Sequence, residues 1–129
     1  MKILKQIGDK LFYRGGLFHP TKGLKLNWVN DLNEYIKENK KIVNVGAGNY
    51  QKLGVINVDP GYIKEDKFHI KAFGEKLPFE NNSIDFVICN AVLEHVSDPQ
   101  KIISEIFRIL KFGGRVYVDI AFMQPFHAA

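Results

Sequence analysis

Two glycines around an alanine, Gly46–Ala47–Gly48, follow the apolar run Ile42–Val43–Asn44–Val45, and Asp59 closes the next apolar run, "GVINVD". Glycines let the main chain approach a ligand closely. A carboxylate offers two oxygens, which suits two hydroxyl donors such as a sugar diol. Three ligand classes use a turn of this kind. A dinucleotide wants a third glycine, a full helix after the turn and an acid about 20 residues on. Here Gln51 takes the third position, only "NYQKL" separates Gly48 from Gly54, and Asp59 comes thirteen residues after Gly46. A phosphate-binding loop needs Gly-Lys-Ser/Thr, and none follows.

A nucleoside without phosphates uses the parts that remain, and S-adenosylmethionine is such a molecule. Further groups with chemical potential are scattered. His95 is of a type that suits a base or a substrate contact; the plainer reading is a histidine packed at a helix start. Glu94 reads as a structural or solvated carboxylate. Gln124, Phe126 and His127 could face an acceptor, or belong to a loose end. Tyr50 and Phe73 could wall a pocket or fill a core. His19 and His69 have no partner at metal spacing, and one cysteine with four dispersed histidines suggests no zinc site.

These residues need elements to carry them. Ile3, Leu4, Ile7 and Leu11 stand at helical spacing, so residues 1–13 are expected to form a short amphipathic helix. "RGGLFHPTKG" is a loop. Trp28, Leu32, Tyr35 and Ile36 make one apolar helical face. Strands are expected at 41–45, 54–59, 66–70, 83–90 and 115–122. The clearest helix is "DPQKIISEIFRILKFGG", capped by Asp98, with Pro99 in its first turn, Ile102, Ile103, Ile106, Ile109 and Leu110 as its stripe, and Gly113–Gly114 as its stop. Strands alternating with helix and loop predict an α/β domain with a mostly parallel sheet and flanking helices. In such sheets ligands sit beyond the carboxyl ends of the strands, where the glycine turn lies.

The chain has 129 residues, 46% hydrophobic and 25% charged, which fits one globular domain with a core of its own. A single cysteine excludes an internal disulfide, and no stretch reads as a signal peptide or membrane span, so a cytoplasmic protein without membrane attachment is the expectation. Residues 1–41 hold nine Lys/Arg against four Asp/Glu; residues 42–129 hold nine against ten. The basic front end reads as a solvated face, and no aromatic-basic motif argues for nucleic acid. The expected organisation is a helical, basic segment over 1–40 packed on a ligand-binding core over 41–129.

The run "VNVGAG", "INVD" and "EKLPFENNSIDFVICNAVLEHVSDPQKIISEIFRILKFGGRVYV" resembles the class I S-adenosylmethionine-dependent methyltransferases, most of all the type 11 group. The resemblance covers about residues 41–127. It implies a Rossmann-like fold, S-adenosylmethionine as cofactor and a small-molecule methyl acceptor. It also implies roles: Asn44, Gly46, Ala47 and Gly48 at the methionine part, Asp59 at the ribose, Gly74, Glu75 and Leu77 around the adenine with Phe73 packed on the ring. Asn90, Ala91 and His95 would form the floor under the sulfonium, with His95 the catalytic candidate. Gln124, Phe126 and His127 would meet the acceptor.

The sequence departs from that group in three places. Position 44, usually an acid, is Asn44; the adenine-reading acid is replaced by Phe73; and Phe112 stands where proline is usual. The group also adds a helix and an antiparallel strand pair after the strand at 115–122. The chain is therefore expected to lack that pair and to expose the edge of its fifth strand, through which a homodimer could form. The opposing reading is a truncated or degenerate non-catalytic domain that binds the cofactor weakly or works in assembly.

Overall fold

A computed structural model describes residues 11–14, 28–49 and 54–120 of the chain, with side chains over 30–49 and 54–120. The elements are β1 (Leu11–Arg14), α1 (Trp28–Lys37), β2 (Ile42–Val45), β3 (Ile56–Val58), β4 (His69–Ile70), β5 (Ile84–Asn90), a single 3-10 turn (Leu93–His95), α2 (Pro99–Ile109) and β6 (Leu110–Asp119). The strands form one sheet in the order β1-β6-β5-β2-β3-β4, and each neighbouring pair is parallel.

Alternation along the strands sorts the core into two layers. Val43, Val45, Val58, Val87, Cys89, Val116 and Val118 face α2, whose Ile102, Ile106 and Ile109 close over them with Leu77 and Leu93. Ile42, Val55, Phe86, Ile88 and Tyr117 face α1, against Leu32, Tyr35 and Ile36. Helices on both faces bury the central strands completely, which is why β2 reads as an unbroken apolar run apart from Asn44. Asp98 caps α2 by accepting from the Lys101 N–H at 3.3 Å, and Pro99 opens the helix.

Three expectations change. Leu11–Arg14 is a strand and not the end of an amphipathic helix: it runs parallel to β6, with Leu11 opposite Val116 and Arg14 opposite Asp119. Leu11, Phe12 and Tyr13 are types that suit a pleated surface, and the flank of β6 offers unpaired amides and carbonyls; that pairing outweighs a weak helical period. Residues 1–10 lie outside the described residues. The same pairing means that the β6 edge is not open, which removes the basis for a homodimer through it. Finally, α2 ends at Ile109, and Leu110 already belongs to β6. Ile84 pairs with Leu110 but Phe86 pairs with Arg115, so Gly113 and Gly114 lie in a bulge inside the strand rather than at the helix end.

The sheet reverses its winding between β2 and β5, which are neighbours although β3 and β4 intervene in sequence. A crevice is expected at the carboxyl ends of these two strands.

Candidate functional site

Val45 of β2 lies between Val58 of β3 and Cys89 of β5, so Gly46, Asp59 and Asn90 leave three adjacent strands at the same end. Gly46 takes φ +64°, and a Cβ there would run into Cγ2 of Val92. The turn after β2 is thereby pressed against the loop after β5, a contact that no side chain at position 46 would permit. Gly48, at φ +48°, donates its N–H to Asp59 Oδ2 at 2.9 Å. Asp59 Oδ1 accepts from the Gly61 N–H at 2.7 Å. The Ala47 N–H reaches the Val58 carbonyl at 3.0 Å, so the turn also continues the ladder to β3. Asp59 is therefore a bracket: it holds the glycine turn on one side and the "DPGY" turn on the other. Each of its oxygens has a second lone pair beyond the backbone bond.

Gly74 backs this rim. A Cβ there would lie 3.1 Å from Cδ1 of Ile102 and 3.2 Å from Cγ1 of Val45, so the loop after β4 packs closely over the end of β2. Arg108 and Glu105 of α2 hold that loop in place. The guanidinium uses all five N–H groups: Nε and Nη2 on Glu105 at 2.7 and 2.8 Å, Nη2 on the Leu77 carbonyl at 3.0 Å, Nη1 on the Phe79 carbonyl at 2.8 Å and on Asn81 Oδ1 at 2.9 Å. Glu105 Oε2 in turn accepts the Leu77 N–H at 2.7 Å. The Arg108 bond, set against partial burial, holds the Glu105 carboxyl below the usual range.

The other residues singled out from sequence distribute as follows. Phe73 is 65% exposed on the loop before Gly74. Glu75 is half-buried, and the Leu77 side chain belongs to the core facing α2. Asn90 ends β5 opposite Asp119, and Ala91 follows at φ +53°, a conformation that costs a non-glycine residue on the order of 1 kcal/mol. The Ala91 N–H donates to the Asp119 carbonyl at 2.8 Å, which ties the strained residue to β6. His95 is exposed at the end of the 3-10 turn, and Glu94 is half-buried beside it. Burial first, and the Glu94 charge second, push the Cys89 thiol up to about 12. Asn44 does not point at open crevice: it is 4% exposed and donates to Asn57 Oδ1 at 3.2 Å. Tyr50, Gln124, Phe126 and His127 lie outside the described residues. Among the described residues no three His, Cys, Asp or Glu side chains converge on a metal-sized site, and no helix is long and apolar enough to cross a membrane.

Sequence reasoning missed Tyr62, Asn57 and Val92. The Tyr62 hydroxyl donates to the Gly48 carbonyl at 3.4 Å and the ring stands edge-on to His69, 5.5 Å between centroids. Burial, then the Asp59 charge, raise its pKa. An aromatic directly after the Pro60–Gly61 turn was the available signal. Asn57, a polar residue inside an apolar strand, was another.

Comparison with known proteins bears on the family and the fold. The sequence profile described as a methyltransferase domain matches residues 52–118. An uncharacterized protein of Methanocaldococcus jannaschii is 37% identical over 86 residues, covering 60% of this chain and 42% of its own length. The ubiquinone/menaquinone biosynthesis C-methyltransferase of Pasteurella multocida is 35% identical over 88 residues, covering 67% of this chain and 29% of its own. The chain thus spans less than half the length of these relatives. Among solved structures, a protein of Thermotoga maritima described as an S-adenosylmethionine-dependent methyltransferase, possible histamine N-methyltransferase, superposes with a TM-score of 0.54 at 24% identity, over 71% of this chain and 57% of that one. That likeness concerns the fold.

Proposed function

We infer, from the premise that this chain belongs to the methyltransferase domain family, that it binds S-adenosylmethionine at the carboxyl ends of β2, β3 and β5 and transfers its methyl group to a small-molecule acceptor. The observation that carries this reading is the Asp59 bracket. Its oxygens are fixed by the Gly48 and Gly61 amides and keep lone pairs for the two ribose hydroxyls, immediately beside a turn with no side chains at 46 and 48. The residues present fit the cofactor: carboxylate acceptors for a diol, bare backbone for the methionine part, and the exposed Phe73 ring for the face of the adenine.

When bound, S-adenosylmethionine supplies a methyl group on a positively charged sulfur, already activated for displacement. The protein's task is orientation, which is worth about 7–11 kcal/mol in well-aligned systems. Asp59 and the 46–48 turn fix the sugar and the amino-acid tail. Asn90 and Ala91, held on β6 through the Ala91 N–H, form the floor under the reacting centre. His95, exposed at the end of the 3-10 turn, is our candidate to take a proton from the acceptor; such help is typically worth 10²–10⁴-fold, roughly 3–5 kcal/mol. Alignment therefore outweighs the base. A small-molecule acceptor is supported by the name of the Pasteurella relative, and a cytoplasmic setting belongs to the same proposal.

Isothermal titration with S-adenosylhomocysteine tests the reading. Saturable one-site binding is expected. Absence of heat at about 1 mM ligand, which corresponds to less than about 4 kcal/mol of affinity, would make the chain a non-binding domain and end the enzyme reading.

A further inference from the structure

We propose that Tyr62 is a positioning residue for the amino-acid end of the cofactor: its hydroxyl is the second prong of a clasp on Gly48, and the clasp favours ligands that carry the methionine tail over adenosyl ligands cut short at the sulfur. This role rests on the cofactor reading above and adds to it a residue and a selectivity.

Gly48 is held on both sides of its Cα. Its N–H donates to Asp59 Oδ2 at 2.9 Å, and its carbonyl accepts from the Tyr62 hydroxyl at 3.4 Å. The bond at the N–H restrains φ, and the bond at the carbonyl restrains ψ. Glycine has more backbone freedom to lose than any other residue, so each restraint matters here. Gly48 takes φ +48°, and a Cβ there would find Asp59 Oδ2 at 3.8 Å. Among the described residues the tip of the turn is therefore set by hydrogen bonds rather than by packing. One residue back, the Ala47 N–H is pinned to the Val58 carbonyl at 3.0 Å. All three anchors come from residues 58–62, so the end of β3 and the turn after it shape the glycine turn.

Tyr62 is itself seated. Its N–H reaches the Asp59 carbonyl at 3.4 Å and closes the 59–62 turn. The ring leans edge-on against His69 of β4, 5.5 Å between centroids at an interplanar angle of 77°. His69 is tied through Nδ1 to Asp66 Oδ1 at 2.9 Å. The ring contact needs no hydroxyl, and a phenylalanine would make it as well. The hydroxyl serves the Gly48 carbonyl, and because a carbonyl only accepts, the hydroxyl must keep its proton. Burial first, and the Asp59 charge second, raise the phenol pKa and hold that proton in place.

Two grips are thus separable. Without the Tyr62 hydroxyl, Asp59 still holds the Gly48 and Gly61 amides and still offers its remaining lone pairs to the sugar. The Gly48 carbonyl is released, and the surface against which the methionine tail lies loosens. A neutral hydrogen bond shifts an equilibrium by roughly two- to tenfold, and a long, part-buried one belongs in the lower half of that range.

The test is Tyr62→Phe, titrated calorimetrically beside the parent with two probes. S-adenosylhomocysteine carries the amino-acid tail; methylthioadenosine keeps the adenosyl group and the sulfur but lacks the tail. Tyr62→Phe should bind S-adenosylhomocysteine about three- to fivefold more weakly and methylthioadenosine less than about 1.5-fold more weakly. A hydroxyl that merely supports the fold would cost both ligands alike. Losses within about twofold of each other, no loss in either included, overturn the proposal. So does a melting midpoint more than about 8 °C below the parent, which would make the hydroxyl a support of the whole domain. Failure of methylthioadenosine to bind the parent at about 10 mM would show that the sugar grip holds nothing by itself, and would overturn the separation of the two grips. If the parent does not bind S-adenosylhomocysteine, the cofactor reading falls and takes this role with it. If the parent binds and Tyr62→Phe binds alike, the cofactor reading stands and the role of Tyr62 alone falls.

Discussion

Asp59→Asn is the sharpest perturbation of the site, because it keeps shape and removes only charge and one acceptor. In the parent both carboxylate oxygens accept a main-chain N–H, from Gly48 at 2.9 Å and from Gly61 at 2.7 Å. The amide can present an oxygen to one of them, and its NH2 then faces the other donor. A hydrogen bond to a charged group is worth about 1.5–3 kcal/mol, and one such bond is lost outright while the other becomes neutral. The site is only part-buried, so water takes up some of the loss, and a net cost of about 1–3 kcal/mol is expected. Differential scanning calorimetry should show a midpoint lowered by roughly 3–10 °C. The ribose loses its charged acceptor as well, so S-adenosylhomocysteine affinity should fall at least about tenfold, about 1.4 kcal/mol. Asp59→Ala should weaken binding at least as much while the fold survives. If Asp59→Asn melts with the parent and binds the ligand equally well, the aspartate brackets nothing and the sugar is held elsewhere.

Gly46→Ala combines a left-handed backbone with overlap on Val92; a loss of about 2–3 kcal/mol by urea titration is expected, and a loss under about 0.5 kcal/mol would mean that the two loops do not touch. Arg108→Met leaves Glu105 with only the Leu77 N–H and takes the Arg108 donors from the Leu77 and Phe79 carbonyls and Asn81 Oδ1, and about 3 kcal/mol should go. The Arg108 bond also lowers the Glu105 pKa, so its contribution is fully present above the ordinary glutamate range and is lost as pH falls through the lowered value; Arg108→Met should flatten that acid limb, and an unchanged limb would contradict the pairing. Cys89, with its thiol pushed up to about 12 by burial and the Glu94 charge, should resist iodoacetamide in the native protein and react at once in denaturant; fast native labelling would place the thiol in solvent.

The strands and helices that a sequence reveals are those with a strong local pattern. α2 was legible from its cap, proline and stripe because all three act within one helix. Its end was read late because Leu110 fits a helical stripe as well as a strand, and only pairing with Ile84 decides. β1 carries a helical spacing for the same reason: its partner lies about a hundred residues on, and nothing in residues 11–14 encodes β6. At the site, Gly46, Gly48 and Asp59 were legible because turn chemistry demands particular residue types. Asn57 and Tyr62 carry a local signal of type, but their partners on β2 and the glycine turn lie 13 and 14 residues away, and Arg108 reaches carbonyls about 30 residues back.

The pairing of β1 with β6 has a temporal consequence. Leu11 meets Val116 across about a hundred intervening residues, which a ribosome needs roughly 5–20 s to add. Once past the exit tunnel, β1 waits for β6 before it can take its place in the sheet. A nascent chain paused before residue 110 would therefore leave the main-chain groups of Leu11–Arg14 without their sheet partner, a segment on which a holdase could act.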